Sequence, residues 1–459
     1  MATAASVFTT FRDPAGTLRV EGERVLRTVH PEYAASTEAF LDSAVARELF
    51  SSGALVGTQR LGYRADGALE LEHSRIFFPS YAWEWSAAQY SDAALLTLDL
   101  CDKLLDHGFI LKDATPQNIL FSGSQPVLVD LLSVEKRDPL SPMWNAYSQF
   151  VRTFLLPLLA HRYLGWPLAA SRFRRDGFEP QDIYPHLSFF RRWIGVARGS
   201  ITLPLFFDRW SKGGKTPMAF RFSADTCTEI LHARFRSLRK AIQSLEPGKL
   251  RSHWLGYTSH CDHYSLAARI RKEEFVTQAL KTARPATVLD VGANTGVFSR
   301  LAAESGARVV ALDIDGASTD RHYRSAHKAG LSILPLHADI ARPTPSAGWR
   351  NLESLSLLDR CRRRFECVFL LGLLHHLLVS DQIPLAEIAA LIAELAPRWI
   401  VAEWIPPTDP KFVEICRGRD ARYAQLNEDA FHLAIAPSYR VAQREVLDNG
   451  RVLMLMQAR

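Results

Sequence analysis

Residues 287–315 read TVLDVGANTGVFSRLAAESGARVVALDID, and this stretch decides the fold of the C-terminal half. An apolar strand runs to Asp290, a turn follows with Gly292, Asn294 and Gly296, and a helix opens at once. A second apolar strand then ends in Asp313. Glycines in such a turn let the backbone approach a ligand closely, and a carboxylate ending the next strand can accept both hydrogen bonds of a ribose diol. The loop is not the Gly-x-Gly-x-x-Gly of a dinucleotide site. Asp290 at the mouth of the first strand would crowd a pyrophosphate, whereas it suits the ammonium of an amino-acid cofactor.

Outward from this stretch the same alternation continues. An amphipathic helix from Ser265 to about Thr282 is stopped by Pro285. Strands over 286–291, 308–313, 331–336, 365–371 and 398–404 alternate with helices over 296–305, 319–329 and 383–396, and a longer loop or helix covers 341–363. Alternation of this kind predicts a doubly wound parallel sheet. Upstream, Leu18 to Val29 reads as strand, Ser36 caps a helix through Phe50, and Asp66-Gly67 turns a hairpin. A helix from about Ser91 to His107 stops at Gly108, and residues 143–250 are mostly helical, with a kink or break expected at Pro157. The fold class is therefore α/β: an α+β domain over 1–250, a linker or lid over 251–264, and a doubly wound, Rossmann-like domain over 265–459.

Composition excludes several function classes. The 459 residues carry 55 Lys+Arg against 49 Asp+Glu, a net charge of +6, with 47% hydrophobic residues, which is a globular and not a disordered balance. The basic excess is spread thinly, so no nucleic-acid partner is expected. Six cysteines form no CxxC pair, which points to reduced thiols in a cytoplasmic protein. Arg12 and Asp13 interrupt any signal-like apolar core, and no apolar run is long enough to span a membrane. The cluster HWLGYTSHCDHY, with His253, His260, Cys261 and His263, lacks zinc-site spacing, and no metal is expected. A lid in which Tyr257 and Tyr264 contact substrate is the preferred reading of that segment. The run Arg362–Arg364 reads as a solvated face.

DVGANTGVFS followed by VVALDID closely resembles the first two motifs of class I S-adenosylmethionine-dependent methyltransferases, over roughly residues 265–459. The resemblance implies S-adenosyl-L-methionine as cofactor. Asp290, Gly292, Asn294 and Gly296 would meet its methionine part, Asp313 its ribose hydroxyls, and Ile314 and Asp339 its adenine. FECVFLLGLLHHL, residues 365–377, matches the fourth strand, whose end at Gly372 would lie beside the methyl group. An Asp or Asn is common there in the family and is missing here. His375 and His376 begin the next element, and either could be a general base for a hydroxyl or amine, or a packed support. Glu403, with Asp409 behind it, is a further candidate base or substrate contact. The acceptor expected is a small molecule or a saccharide.

LKDATPQNILFSGSQPVLVD, residues 111–130, resembles the catalytic loop and metal-binding aspartate of protein-kinase-like phosphotransferases over perhaps residues 70–200. The resemblance implies proton acceptance by Asp113 and metal binding by Asn118 and Asp130. It has gaps: no glycine-rich strand turn precedes it, no strand lysine is evident, and Leu131-Leu132 follows Asp130. A degenerate kinase-like segment that recognises substrate or packs is the reading, with a bifunctional methyltransferase and phosphotransferase as alternative and a non-catalytic cofactor-binding scaffold as a third. The order of the two segments also resembles uncharacterised bacterial methyltransferases related to nodulation protein NoeA, which hints at a surface saccharide.

Overall fold

A computed structural model of the chain describes residues 8–206, 222–246, 266–423 and 425–459. It divides the chain into two units, Met1–Gly248 and Lys249–Arg459. The expected lid over 251–264 lies outside the described residues.

The first unit begins with strands β1 (Phe8–Thr9), β2 (Gly16–Glu21), β3 (Arg24–Val29), β4 (Thr58–Tyr63) and β5 (Leu69–His73), joined as an antiparallel sheet in the order β1-β2-β3-β5-β4. The strand expected over Leu18–Val29 is thus two strands turning at Gly22, whose φ of +60° suits glycine. The helix expected from Ser36 to Phe50 is also two, Pro31–Leu41 and Ala44–Ser51. Ser43 separates them, because its hydroxyl caps the second helix by accepting from the Ala46 N–H at 3.1 Å.

A buried helix, Ala87–Leu105, carries a reciprocal cap between Ser86 and Gln89. Two small antiparallel sheets follow: β6 (Phe109–Leu111) pairs β9 (Val134–Lys136), and between them in the chain β7 (Ile119–Ser122) pairs β8 (Gln125–Leu128) as a hairpin. Pro157 does not break its helix. The widened π turn Val151–Leu155 sits immediately before it, which accommodates the missing N–H. The helix Ala224–Ser244 buries a stripe of Cys227, Leu231, Phe235, Leu238 and Ile242.

The second unit holds β10 (Thr287–Val291), β11 (Arg308–Asp313), β12 (Ile333–His337), β13 (Cys367–Leu370), β14 (Trp399–Trp404), β15 (Tyr439–Val446) and β16 (Val452–Ala458), in the order β12-β11-β10-β13-β14-β16-β15. The first five are parallel and β16 runs antiparallel to β14. Strands β10, β13 and β14 are buried along their whole length, as helices on both faces require. The closing hairpin β15–β16 carries no alternation signal that would have announced it, since β15 is largely exposed. Strand order reverses at β10, with β11 on one side and β13 on the other, so a crevice opens beyond their carboxyl ends. The helix Leu266–Ala283 packs across β14, β16 and the helix Val297–Glu304.

Candidate active site

The crevice beyond β10, β11 and β13 forms a cavity of about 400 Å³, a size suited to a small ligand. Its floor is formed by Gly292, Ala293, Asn294 and Thr295. Gly292, Asn294 and Gly296 all take left-handed φ values, +78°, +50° and +85°, a conformation that only glycine adopts freely and that Asn tolerates better than most residues. The loop is tied to β11: the Gly292 and Ala293 N–H groups both donate to the Leu312 carbonyl, at 2.8 and 3.1 Å. The Asn294 N–H donates to one Asp313 carboxylate oxygen at 2.6 Å, and the Asp315 N–H to the other at 2.8 Å. Each oxygen retains acceptor capacity, and Asp313 lines the cavity.

Gly296 does not line the cavity. A Cβ there would fall 2.1 Å from Nε2 of His322, a buried imidazole kept neutral by desolvation and by Arg300, with its pKa lowered to about 3. Gly296 is therefore a packing requirement under the loop.

Asp290 lines the cavity, buried, and accepts from the Ser299 hydroxyl at 2.6 Å. Burial, with the Asp313 charge added, pushes its carboxyl up to about 6. At the opposite end Ile314 is exposed to the cavity, and Asp339 accepts from the Ala341 N–H and from Arg342, each at 2.8 Å. Arg342 also donates to Asp381 at 2.7 Å, so one guanidinium links two walls of the cavity.

Gly372 and His376 line the same cavity and His375 does not. The two imidazoles lie in contact, centroids 4.1 Å apart and tilted by 43°, yet their surroundings differ. His375 is buried, its Nδ1 has no hydrogen-bond partner among the described residues, and desolvation holds its pKa far below the ordinary value. His376 opens a π-helical turn, His376–Ser380, and is half-buried, its pKa lowered by desolvation and partly restored by Asp381. It stays neutral near pH 7 and able to accept a proton.

Glu403 is not placed as a base. It is fully buried on β14 and does not line the cavity. Its carboxylate takes Lys272 Nζ at 2.7 Å and lies 3.6 Å from Arg451. Arg451 in turn grips Asp409 at 2.8 and 3.2 Å, and Asp409 caps the helix Pro410–Cys416. The two carboxylates named as a candidate pair thus serve a buried ion chain. Its outer end is Lys272, which does line the cavity. Lys272, Arg342 and Asp381 escape a sequence reading: Lys272 sits in an ordinary charged helical run, RIRKEE, and the Arg342–Asp381 link joins residues far apart in the chain. In the first unit Asp113 follows β6, Asn118 closes the turn Pro116–Asn118, and Asp130 follows β8.

Residues 263–403 match the family described as a methyltransferase domain. With the strand order, the Gly292–Gly296 loop and Asp313, this defines the second unit as a class I methyltransferase domain that uses S-adenosylmethionine. Nodulation protein NoeA of Rhizobium meliloti (strain 1021) is 29% identical to the chain, over 96% of it and 93% of that protein. Among solved structures, the N-methyltransferase NodS of Bradyrhizobium japonicum WM9 aligns at 13% identity, over 42% of this chain and 98% of NodS, with a TM-score of 0.31. The bifunctional kinase-methyltransferase WbdD aligns at 16% identity, over 45% of this chain and 42% of WbdD, also with a TM-score of 0.31.

Three outcomes follow from this geometry. Glu403→Gln leaves Lys272 and Arg451 without their shared anion, and is expected to lower unfolding free energy by about 3–5 kcal/mol in denaturant titrations; unchanged stability with loss of turnover alone would restore a base role. Gly296→Ala is expected to cost about 2 kcal/mol or more in thermal unfolding, with part recovered by His322→Ala in the same chain. Because Asp290 is protonated more readily folded than unfolded, its unfavourable contribution is absent below about pH 4 and complete above about pH 6. Stability should therefore fall by roughly 2–3 kcal/mol as pH rises through that window, and Asp290→Asn should remove the slope.

Proposed function

We propose that the second unit transfers the methyl group of S-adenosylmethionine to a hydroxyl or amine nitrogen of a small molecule or saccharide, with His376 as general base. The supporting observation is that a neutral, half-buried imidazole shares one cavity with the Gly292–Gly296 loop and Asp313. In this reading Asp313 accepts the ribose hydroxyls and Asp290 faces the ammonium of the cofactor. Ile314 and Asp339 border the adenine. Binding an ammonium favours the charged Asp290, which offsets the cost of ionising it in a buried site.

The cofactor supplies an activated methyl group with a good leaving group, so alignment of the acceptor carries much of the rate. Gly372 leaves room beside that position, and His376 removes the acceptor's proton as the bond forms. His375, packed behind it, orients the ring. Lys272, held by Glu403 at 2.7 Å, stands at the cavity wall.

The saccharide side of the reading draws on the nodulation protein to which the chain is similar. Residues 1–250 are read as an α+β domain that serves acceptor recognition. A cytoplasmic setting fits the five described cysteines, all of them buried. Among the described residues no helix is long and apolar enough to cross a membrane.

Mass spectrometry of a cell extract incubated with labelled cofactor and enzyme should show label in a small molecule or saccharide; label confined to protein or nucleic acid would contradict the acceptor class. With that acceptor, His376→Ala should lower kcat by about 10²–10⁴-fold while leaving cofactor affinity nearly unchanged.

A further inference from the structure

The sequence LKDATPQNIL…VD implies a divalent cation at Asn118 and Asp130, and the side chains around Asp130 can be tested against that expectation. Arg27 projects from β3 and is 5% exposed. Its Nη1 lies 3.2 Å from an Asp130 carboxylate oxygen and 3.7 Å from Asp13. A hard divalent cation needs carboxylate oxygens at roughly 2.0–2.6 Å, and here one of the Asp130 oxygens already faces a guanidinium. A guanidinium at that distance repels a divalent cation at the same carboxylate.

Nor is it free to swing aside. Arg27 Nε donates to His73 Nε2 at 3.1 Å, and His73 Nδ1 is 2.8 Å from the Thr58 hydroxyl. Burial, helped by Arg27, lowers the His73 pKa to about 3, so its ring is the neutral acceptor this arrangement needs. The guanidinium is thus pinned by β3, β4 and β5 at one end and by Asp130 and Asp13 at the other. Lys112 adds a second positive charge facing Asp130, against the further negative charge of Asp113. The residues do not fit the cation.

We propose that Arg27 is a built-in cation standing where the kinase-like motif would hold a divalent metal, and that the first unit consequently binds no metal at Asp130. Asp130 then serves as an ionic tie between the sheet and the β7–β8 hairpin. The absence of a strand lysine in the sequence and the presence of an acidic strand end are reconciled: the acid remains and its partner is a buried arginine.

The test is calorimetric titration of the full chain with Mn²⁺, alone and with ATP. The wild type is expected to bind no Mn²⁺ that Asp130→Asn removes. Arg27→Gln exposes the carboxylates of Asp130 and Asp13, and is expected to gain a Mn²⁺ site at least about tenfold tighter than any in the wild type, lost again in the double variant with Asp130→Asn. Arg27→Lys keeps a cation and should gain none. Retained S-adenosylmethionine binding and a cooperative thermal transition report that each variant is folded. Mn²⁺ binding by the wild type that Asp130→Asn weakens about tenfold or more would overturn the proposal, and this arm needs no Arg27 variant to fold. A folded Arg27→Gln with no gained site would overturn it as well.

Discussion

The Asp313 carboxylate is the constraint on which the methyltransferase site rests. One oxygen holds the Asn294 N–H of the loop after β10, and the other holds the Asp315 N–H of the turn after β11. Hydrogen bonds to a charged group contribute about 1.5–3 kcal/mol each, enough to hold a loop that takes left-handed conformations at three positions. Burial pushes the Asp313 carboxyl upward, and the two N–H groups oppose that shift. The carboxylate that shapes the loop also lines the cavity, so a change at Asp313 alters loop geometry and cavity wall together.

Beneath the cavity the charges alternate: Lys272, Glu403, Arg451, Asp409. A lone buried ion would be costly, whereas a series in which each charge lies within ion-pair distance of an opposite one can be accommodated. The series joins the helix Leu266–Ala283 to β14, to the residue just before β16 and to the cap of the helix Pro410–Cys416. It ends at the cavity wall, where only the Lys272 end lines the cavity. Burial separates the histidines in the same way. His375 is packed away with an orphan nitrogen, and His376, its neighbour in the chain, reaches the cavity.

The parts of this molecule governed by local pattern were legible in its sequence. Strands β10, β11 and β14 lie within a residue or so of the expected ranges, because buried parallel strands are continuous apolar runs bounded by polar ends. The three special backbone positions at Gly292, Asn294 and Gly296 were also visible. What escaped depends on distant pairing. Glu403 looks like an acid at a strand mouth until β16, far along the chain, delivers Arg451 beside it. Arg27 reads as one more charged residue in a strand until the hairpin after Asn118 brings Asp130 to it. The breaks at Gly22 and Ser43 were available from turn and cap chemistry and were lost under longer apolar patterns.

S-adenosylmethionine binding in the crevice at β10, β11 and β13 should depend on the Asp313 carboxylate that also shapes its loop. Calorimetric titration of S-adenosylmethionine into the wild type and into Asp313→Ala tests it most directly. The account predicts a single site per chain, weakened about 100-fold or more by the substitution. Equal affinity in the two proteins, or no binding by a folded wild type, would contradict it.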